Sequence, residues 1–247
     1  MKIIAMIPAR YAATRFPAKL MQPLGNKTVI RTTYDNTVAT GLFDEVIVVT
    51  DSEIIWTEIN KAGGKVVMSK QTHESGSDRI AEAIEDMDID VVINVQGDEP
   101  FVNRDVLEKL VHCFTGEKGK MTRVASAMSK STDATLMSNP NYAKVVVDNE
   151  NNALYFSRSL IPFHRDPGET VAYYKHIGIY AFRKEALLSF TKWPVGKWER
   201  AEKLEQLRYL ENGVKIKMVL ADYTGIGIDS PEELERARQY LDRETKS

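Results

Sequence analysis

Apolar runs and mixed-polarity stretches alternate along the first half of this chain. Lys2 to Ile7 has no polar break after its first residue, as a strand covered on both faces requires. Thr28 to Thr40 reads as a helix, with Gly41 placed to end it. Glu45 to Thr50 is a second strand, and Val46 to Val49 within it is wholly apolar and mostly β-branched. Ser52 can cap a helix through Ala62, and Gly63 and Gly64 then turn the chain into a strand from Lys65 to Met68. A helix over Ser77 to Met87, a strand over Asp90 to Val95 and a helix over Val106 to Phe114 continue the alternation. Strands separated by helices predict βαβ units and a parallel sheet.

After about residue 120 the rhythm changes. Val124 to Met128, Ala143 to Val147, Ala153 to Phe156, His176 to Phe182 and Lys215 to Leu220 all read as strands, several joined by short turns. That spacing predicts an antiparallel or mixed extension of the sheet. Helices are expected over Lys184 to Phe190, Trp198 to Glu211 and Pro231 to Leu241, and a mobile loop over His164 to Ala172, which contains Pro167 and Gly168. The expected architecture is one α/β domain, residues 1–247, with a nucleotide-binding half (1–120) and an acceptor-binding half (121–247).

Composition narrows the function classes. The 247 residues are 43% hydrophobic, enough for a sizeable core. A net charge of −2 and a pI near 6.1 give no global attraction to nucleic acid or to an anionic membrane. The single cysteine, Cys113, cannot form an intrachain disulfide, and its apolar helix makes it a core residue. No run approaches the roughly 18 apolar residues of a membrane span. The expected setting is reducing and cytoplasmic. Charge is nonetheless unevenly placed: Met1 to Tyr34 holds Lys2, Arg10, Arg15, Lys19, Lys27 and Arg31 with no carboxylate before Asp35. Such a segment favours an anion, and a nucleotide polyphosphate is one candidate.

The loop Ile7-Pro8-Ala9-Arg10-Tyr11-Ala12-Ala13-Thr14-Arg15-Phe16-Pro17-Ala18-Lys19 leaves the C-terminal end of the first strand, where open α/β sheets bind ligands. Arg10, Arg15 and Lys19 could converge there on a triphosphate, the arginines as forked donors and the lysine as a point charge. The glycine pattern of a P-loop is absent, and an ordinary basic βα connection is an equally open reading of the spacing. His73-Glu-Ser-Gly-Ser-Asp-Arg79 opens a helix and is either a capped surface terminus or a site for an anion or base edge. Arg79 in the first turn needs an anionic partner. Gln96-Gly97-Asp98-Glu99-Pro100 ends an apolar strand. It is either a plain strand-to-helix turn or a place where Asp98 holds magnesium against substrate phosphates. In Gly225-Ile-Gly-Ile-Asp229-Ser-Pro-Glu-Glu233, a capping box of Ser230 and Glu233 leaves Asp229 free.

Taken together, these segments resemble a known family. Ile-Pro-Ala-Arg-Tyr-x-x-Thr-Arg-Phe-Pro-x-Lys from Ile7, Asn-Val-Gln-Gly-Asp-Glu-Pro from Asn94 and the Asp229 motif are similar to those of the 3-deoxy-manno-octulosonate (Kdo) cytidylyltransferases, or CMP-Kdo synthetases. The resemblance runs from the first strand to the last helix. It implies a Rossmann-like nucleotidyltransferase fold and transfer of CMP from CTP to Kdo, with release of pyrophosphate, for lipopolysaccharide assembly. It implies magnesium (Mg2+) on Asp98 and Asp229, catalytic roles for Lys19 and Arg15, and a homodimer. Pro8, Ala9, Arg10, Arg15, Lys19, Ser77 and Arg79 become nucleotide contacts. Further segments resemble the family around Arg158, His176, Tyr180, Glu205 and Gln206. There Arg158 and His176 suit the acid group of Kdo, and Gln96, Tyr180, Glu205 and Gln206 its hydroxyls. Each of these also has a plain reading as core or solvated surface. Where the family has Pro-Gly-Lys-Pro, this chain has Pro17-Ala18-Lys19-Leu20, and a left-handed backbone is costly at Ala18. Two alternatives stay open: a cytidylyltransferase for 8-amino-Kdo or sialic acid, and a non-catalytic nucleotide-binding protein.

Overall fold

The computed structural model describes residues 1–12, 16–73, 75–166, 171–222 and 227–244. The chain forms two compact units, Met1–Arg104 with Thr224–Ser247, and Asp105–Tyr223. The halves read from the sequence differ from these units, because the C-terminal segment packs back on the first unit. Arg238 donates to the Pro23 carbonyl, the rings of Phe101 and Tyr240 meet at 4.6 Å, and the Ile228 amide donates to the Asp98 carbonyl at 2.9 Å.

The first unit runs β1 (Ile3–Ala9), a 3-10 turn (Lys19–Met21), β2 (Pro23–Leu24), β3 (Lys27–Thr28), α1 (Val29–Ala39), β4 (Glu45–Thr50), α2 (Glu53–Lys61), β5 (Val66–Met68), α3 (Gly76–Ile84) and β6 (Val91–Asn94). Its sheet order is β5-β4-β1-β6, parallel throughout, while β2 and β3 form a separate two-residue hairpin. Ile3 to Ile7 and Val46 to Val49 are buried, which explains their unbroken apolar runs. Local signals set the ends of the helices. The Thr28 hydroxyl accepts from the Arg31 amide at the start of α1, and Gly41 (φ +66°) follows its end. Ser52 caps α2 as expected; α3 is capped by Ser75, two residues earlier than its predicted start.

Register fixes where ligands can approach. Met6 lies opposite Asn94 and Ala9 opposite Thr50, so the chain leaves β1 and β6 at the same end of the sheet. Polar groups of α1 hold the loop after β6: buried Thr33 Oγ1 donates to the Gly97 carbonyl at 2.9 Å, and Asn36 Nδ2 to that of Pro100 at 2.7 Å.

The second unit contains α4 (Arg104–His112, entered at Asp105), α5 (Gly116–Gly119), β7 (Val124–Ser131), α6 (Ala134–Met137), β8 (Lys144–Val147), β9 (Ala153–Ser157), β10 (Tyr173–Arg183), α7 (Lys184–Phe190), α8 (Lys197–Glu202), α9 (Leu207–Glu211) and β11 (Ile216–Leu220). Its strands run β11-β7-β10-β8-β9; the β11–β7 pair is parallel and the others antiparallel. The final helix, α10 (Pro231–Glu244), belongs to the first unit. The single helix expected over Trp198 to Glu211 is two. Lys203 adopts φ +54°, and the carbonyls of Glu202 and Lys203 accept from the Arg158 guanidinium instead of continuing a helix. Arg208 spans the break with a buried two-pronged bond to Glu199, at 2.6 and 2.7 Å. Of the loop His164 to Ala172, residues 167–170 lie outside the described residues. Among the described residues no helix is long and apolar enough to cross a membrane.

Replacing Thr33 with Val keeps the volume but leaves the buried Gly97 carbonyl without its donor. We expect a loss of about 1–3 kcal/mol in urea unfolding; a loss below about 0.5 kcal/mol would show that this bond does not hold the loop.

Candidate active site

Three distant segments of the first unit meet at the Lys19 ammonium. Lys19 opens the 3-10 turn, and its Nζ lies 2.5 Å from Asp98 Oδ2 and 2.7 Å from Asp229 Oδ1. Burial pushes the Lys19 pKa down, but the two carboxylates outweigh it, and the ammonium is held above its ordinary value. Both aspartates are fixed by backbone bonds. The Asp98 carbonyl accepts from Ile228, and the Asp229 amide donates to Glu233 Oε2 at 2.8 Å. Glu233 thus reaches Asp229, one residue before the expected box partner Ser230, whose hydroxyl accepts from the Glu233 amide. Gly97 is small because of the loop itself: a Cβ there would sit 3.1 Å from the Pro8 carbonyl and 3.2 Å from Ile30.

Ala18 takes the left-handed conformation in spite of its side chain (φ 52°, ψ 28°). The costly backbone noted from the sequence is therefore adopted all the same. Two turn bonds, Lys19 N to Phe16 O and Met21 N to Ala18 O, together with the burial of Leu20, hold the backbone there.

The other nucleotide candidates have different surroundings. Arg10 is exposed just beyond β1, with Pro8 half-buried and Ala9 buried. Arg15 lies outside the described residues. Arg79 is buried. Its guanidinium binds Asp51 Oδ2 and the Ala9 carbonyl, each at 2.5 Å. Arg79, expected to contact phosphate or base, has Asp51 as its anionic partner and holds the root of the loop through the Ala9 carbonyl. Ser77 is half-buried in the first turn of α3, and Gln96 donates to Asn94 Oδ1 at 3.3 Å. Much of the N-terminal charge is also neutralised by protein. Lys27 and Arg31 pair with Asp35, and Lys2 pairs with Glu45.

In the second unit a bulge in β10 brings acceptor candidates together. Ile177 pairs with Ala127 and Tyr180 with Ser126, so Gly178 and Ile179 are the extra residues of β10 in its register with β7. Residues four apart on a regular strand lie about 13 Å apart, yet the rings of His176 and Tyr180 meet at 5.3 Å. Gln206 is buried, with Nε2 3.5 Å from His176 Nδ1, while Glu205 is exposed. Burial lowers the His176 pKa to about 3. Burial, with Glu205 adding to it, raises that of Tyr180 well above its ordinary value. Both are neutral near pH 7. His176, expected to face the acid group, is thus a neutral hydrogen-bonding ring near pH 7. Arg158, also expected at the acid group, donates from its guanidinium to the carbonyls of Glu202, Pro140 and Lys203. Beside it, fully buried Lys144 donates to the carbonyls of Asn139, Tyr142 and Arg158. Sequence periodicity gave no signal for Lys144, Asp51 or Ser126, because each has its role through partners distant in the chain.

The cytidylyltransferase family model matches residues 4–216. The 3-deoxy-manno-octulosonate cytidylyltransferase of Flavobacterium johnsoniae is 58% identical over 98% of this chain and 99% of its own. This chain belongs to the 3-deoxy-manno-octulosonate cytidylyltransferase family. The Christiangramia forsetii enzyme of that name is 54% identical over 97% of both chains. A solved CMP:2-keto-3-deoxy-manno-octonic acid synthetase complexed with CTP superposes with a TM-score of 0.94 at 35% identity, covering 99% of this chain and 100% of that one. The α/β fold with parallel and antiparallel strands is the family's. A 4-diphosphocytidyl-2C-methyl-D-erythritol synthase from Anaerococcus prevotii shares the fold at a TM-score of 0.63 and 19% identity, over 98% of this chain and 99% of its own.

The magnesium expected on Asp98 and Asp229 can be tested against the donor set. Among the described residues no three His, Cys, Asp or Glu side chains cluster as a self-sufficient metal site. Asp98 and Asp229 form a pair of oxygen donors around one positive charge. That fits magnesium, which uses one or two carboxylates and completes its shell with phosphate and water.

Two predictions follow from this geometry. Below pH 6.5 the unfolded chain protonates His176 while the folded chain, with its pKa near 3, does not; stability is lost as pH falls through this range. Between pH 7.5 and 5.5 that loss is about 1.4 kcal/mol. Urea unfolding of His176→Gln should lack this component, and equal pH dependence in both proteins would show that His176 titrates normally. Separately, Ala18→Gly should raise unfolding free energy by about 1 kcal/mol by relieving the left-handed strain. A measured decrease would contradict that backbone geometry.

Proposed function

We propose that the Lys19–Asp98–Asp229 cluster is the reaction centre at which this cytidylyltransferase transfers CMP from CTP to Kdo, releasing pyrophosphate. The observation that carries the reading is one ammonium shared by two carboxylates at the C-terminal end of a parallel sheet. Asp98 and Asp229 would hold magnesium there. Bound magnesium offsets phosphate charge and lowers the pKa of the attacking hydroxyl.

The chain's own residues supply position and charge. Lys19 neutralises phosphate and leaving-group oxygens, and Arg10 and Arg15 add forked donors to the triphosphate. Arg79, clamped by Asp51, holds the Ala9 carbonyl and so the start of the loop. Catalysis of this kind rests on alignment and charge stabilisation, and no side-chain base is required. Gln96, Tyr180, Glu205, Gln206 and neutral His176 are assigned to the hydroxyls of the acceptor. Resemblance supports a homodimer and a role in supplying lipopolysaccharide assembly. A nucleoside triphosphate substrate supports work in the cytoplasm.

The test is pyrophosphate release with CTP crossed against Kdo, 8-amino-Kdo and sialic acid, with and without magnesium. We expect magnesium-dependent release with Kdo; release with sialic acid alone would overturn the acceptor assignment. Binding of CTP without turnover on any acceptor would favour a non-catalytic protein. Asp98→Asn should leave the fold intact and lower kcat/KM by at least about 100-fold, or about 3 kcal/mol. Near-normal release from that variant would remove Asp98 from the centre.

A further inference from the structure

Ser126 lies within β7, fully buried, opposite the bulge of β10. Its Oγ has three polar neighbours: the Ile179 carbonyl at 2.9 Å, the Ile177 carbonyl at 3.2 Å and His176 Nε2 at 3.0 Å. A hydroxyl has one proton to give. The two carbonyls can only accept. If the proton went to Nε2, both carbonyl oxygens would face hydroxyl lone pairs at hydrogen-bond distance, in a buried place where that repulsion is costly. The consistent arrangement sends the Ser126 proton to a carbonyl and lets Oγ accept from Nε2–H. The other ring nitrogen must then be a lone-pair acceptor in a neutral imidazole, and Gln206 Nε2, at 3.5 Å, is placed to donate to it.

We propose that Ser126 is a positioning residue for acceptor recognition, holding His176 in the Nε2–H tautomer so that Nδ1 accepts and the Gln206 amide donates beside it. This rests on the assignment of His176 and Gln206 to the sugar acid. The bulge is what makes the arrangement possible. By looping out Gly178 and Ile179 it turns the carbonyls of residues 177 and 179 onto the same hydroxyl. The rings of Phe156 (5.1 Å) and Tyr180 (5.3 Å) flank the imidazole and leave it no charged neighbour among these contacts. Its low pKa agrees with a neutral ring. An acceptor nitrogen next to an amide donor matches a hydroxyl, which both donates and accepts, and mismatches a carboxylate, which only accepts. The 3.5 Å separation of Gln206 from Nδ1 is at the limit of a hydrogen bond, so both groups can exchange this contact for a substrate hydroxyl at small cost.

The experiment combines nitrogen NMR of the histidine-labelled full chain with steady-state kinetics. In the unsubstituted protein at pH 7, His176 should appear as the neutral Nε2–H tautomer; an Nδ1–H or protonated ring would overturn the proposal. In Ser126→Ala the tautomers should mix, and KM for Kdo should rise about tenfold while KM for CTP stays within twofold. Ser126→Thr, which keeps the hydroxyl, should restore the tautomer and most of the Kdo affinity. Unchanged KM for Kdo in Ser126→Ala, or an equal rise in both KM values, would overturn the positioning role. If Ser126→Ala does not fold, the NMR of the unsubstituted protein and the Ser126→Thr kinetics decide. Absence of turnover with Kdo in the unsubstituted protein would instead fail the functional assignment, and the tautomer result would still stand or fall by itself.

Discussion

One ammonium between two carboxylates organises the first unit. Asp98 and Asp229 come from a strand end and from a segment more than a hundred residues later, and Lys19 comes from the loop after the first strand. Two carboxylates this close repel each other unless a cation lies between them. Lys19 supplies one positive charge, which leaves the cluster with a net charge of −1. The surroundings fit that demand. Thr33 and Asn36 hold the loop that carries Asp98, the Ile228 amide ties it to the segment of Asp229, and Ala18 accepts a strained backbone so that Lys19 can reach. Each costs something locally and is sustained by packing around it.

The second unit solves a different problem by similar means. Long basic side chains there are used as internal staples. Lys144 and Arg158 each gather backbone carbonyls from separate segments, and Arg208 grips Glu199 across a helix break. Buried cations of this kind persist because every charge finds oxygen acceptors. The bulge of β10 then brings two rings into contact that regular strand geometry would keep apart. A neutral imidazole, a phenol and an amide form a surface of mixed donors and acceptors, which suits a polyhydroxylated acid better than a purely cationic pocket would.

Most of the secondary structure was legible because it is encoded locally. The apolar runs at Ile3 to Ile7 and Val46 to Val49, the caps at Thr28 and Ser52, and the stop at Gly41 act within a few residues. The split between α8 and α9 was not legible, because its cause is Arg158, more than forty residues away. Asp98 could be singled out as a carboxylate at the tip of an apolar strand. Asp229 could be seen only as a residue that capping left unused, and its role came from resemblance. Arg79 was correctly seen to need an anion; that the anion is Asp51 depends on how α3 lies against β4.

The sequence by itself determined the alternation of strands and helices, the change from a parallel sheet to an antiparallel or mixed extension, and, through long ordered motifs, the family. Periodicity, capping and motif spacing are short-range properties and survive in one dimension. Only the tertiary structure decided which charges are spent inside the protein and which face a ligand. It assigned Arg79, Arg158 and Lys144 to internal bonds, made His176 neutral and joined Lys19 to two carboxylates. Those outcomes depend on burial and on partners brought together by the fold, and a charge has no fixed role until its nearest neighbours are known.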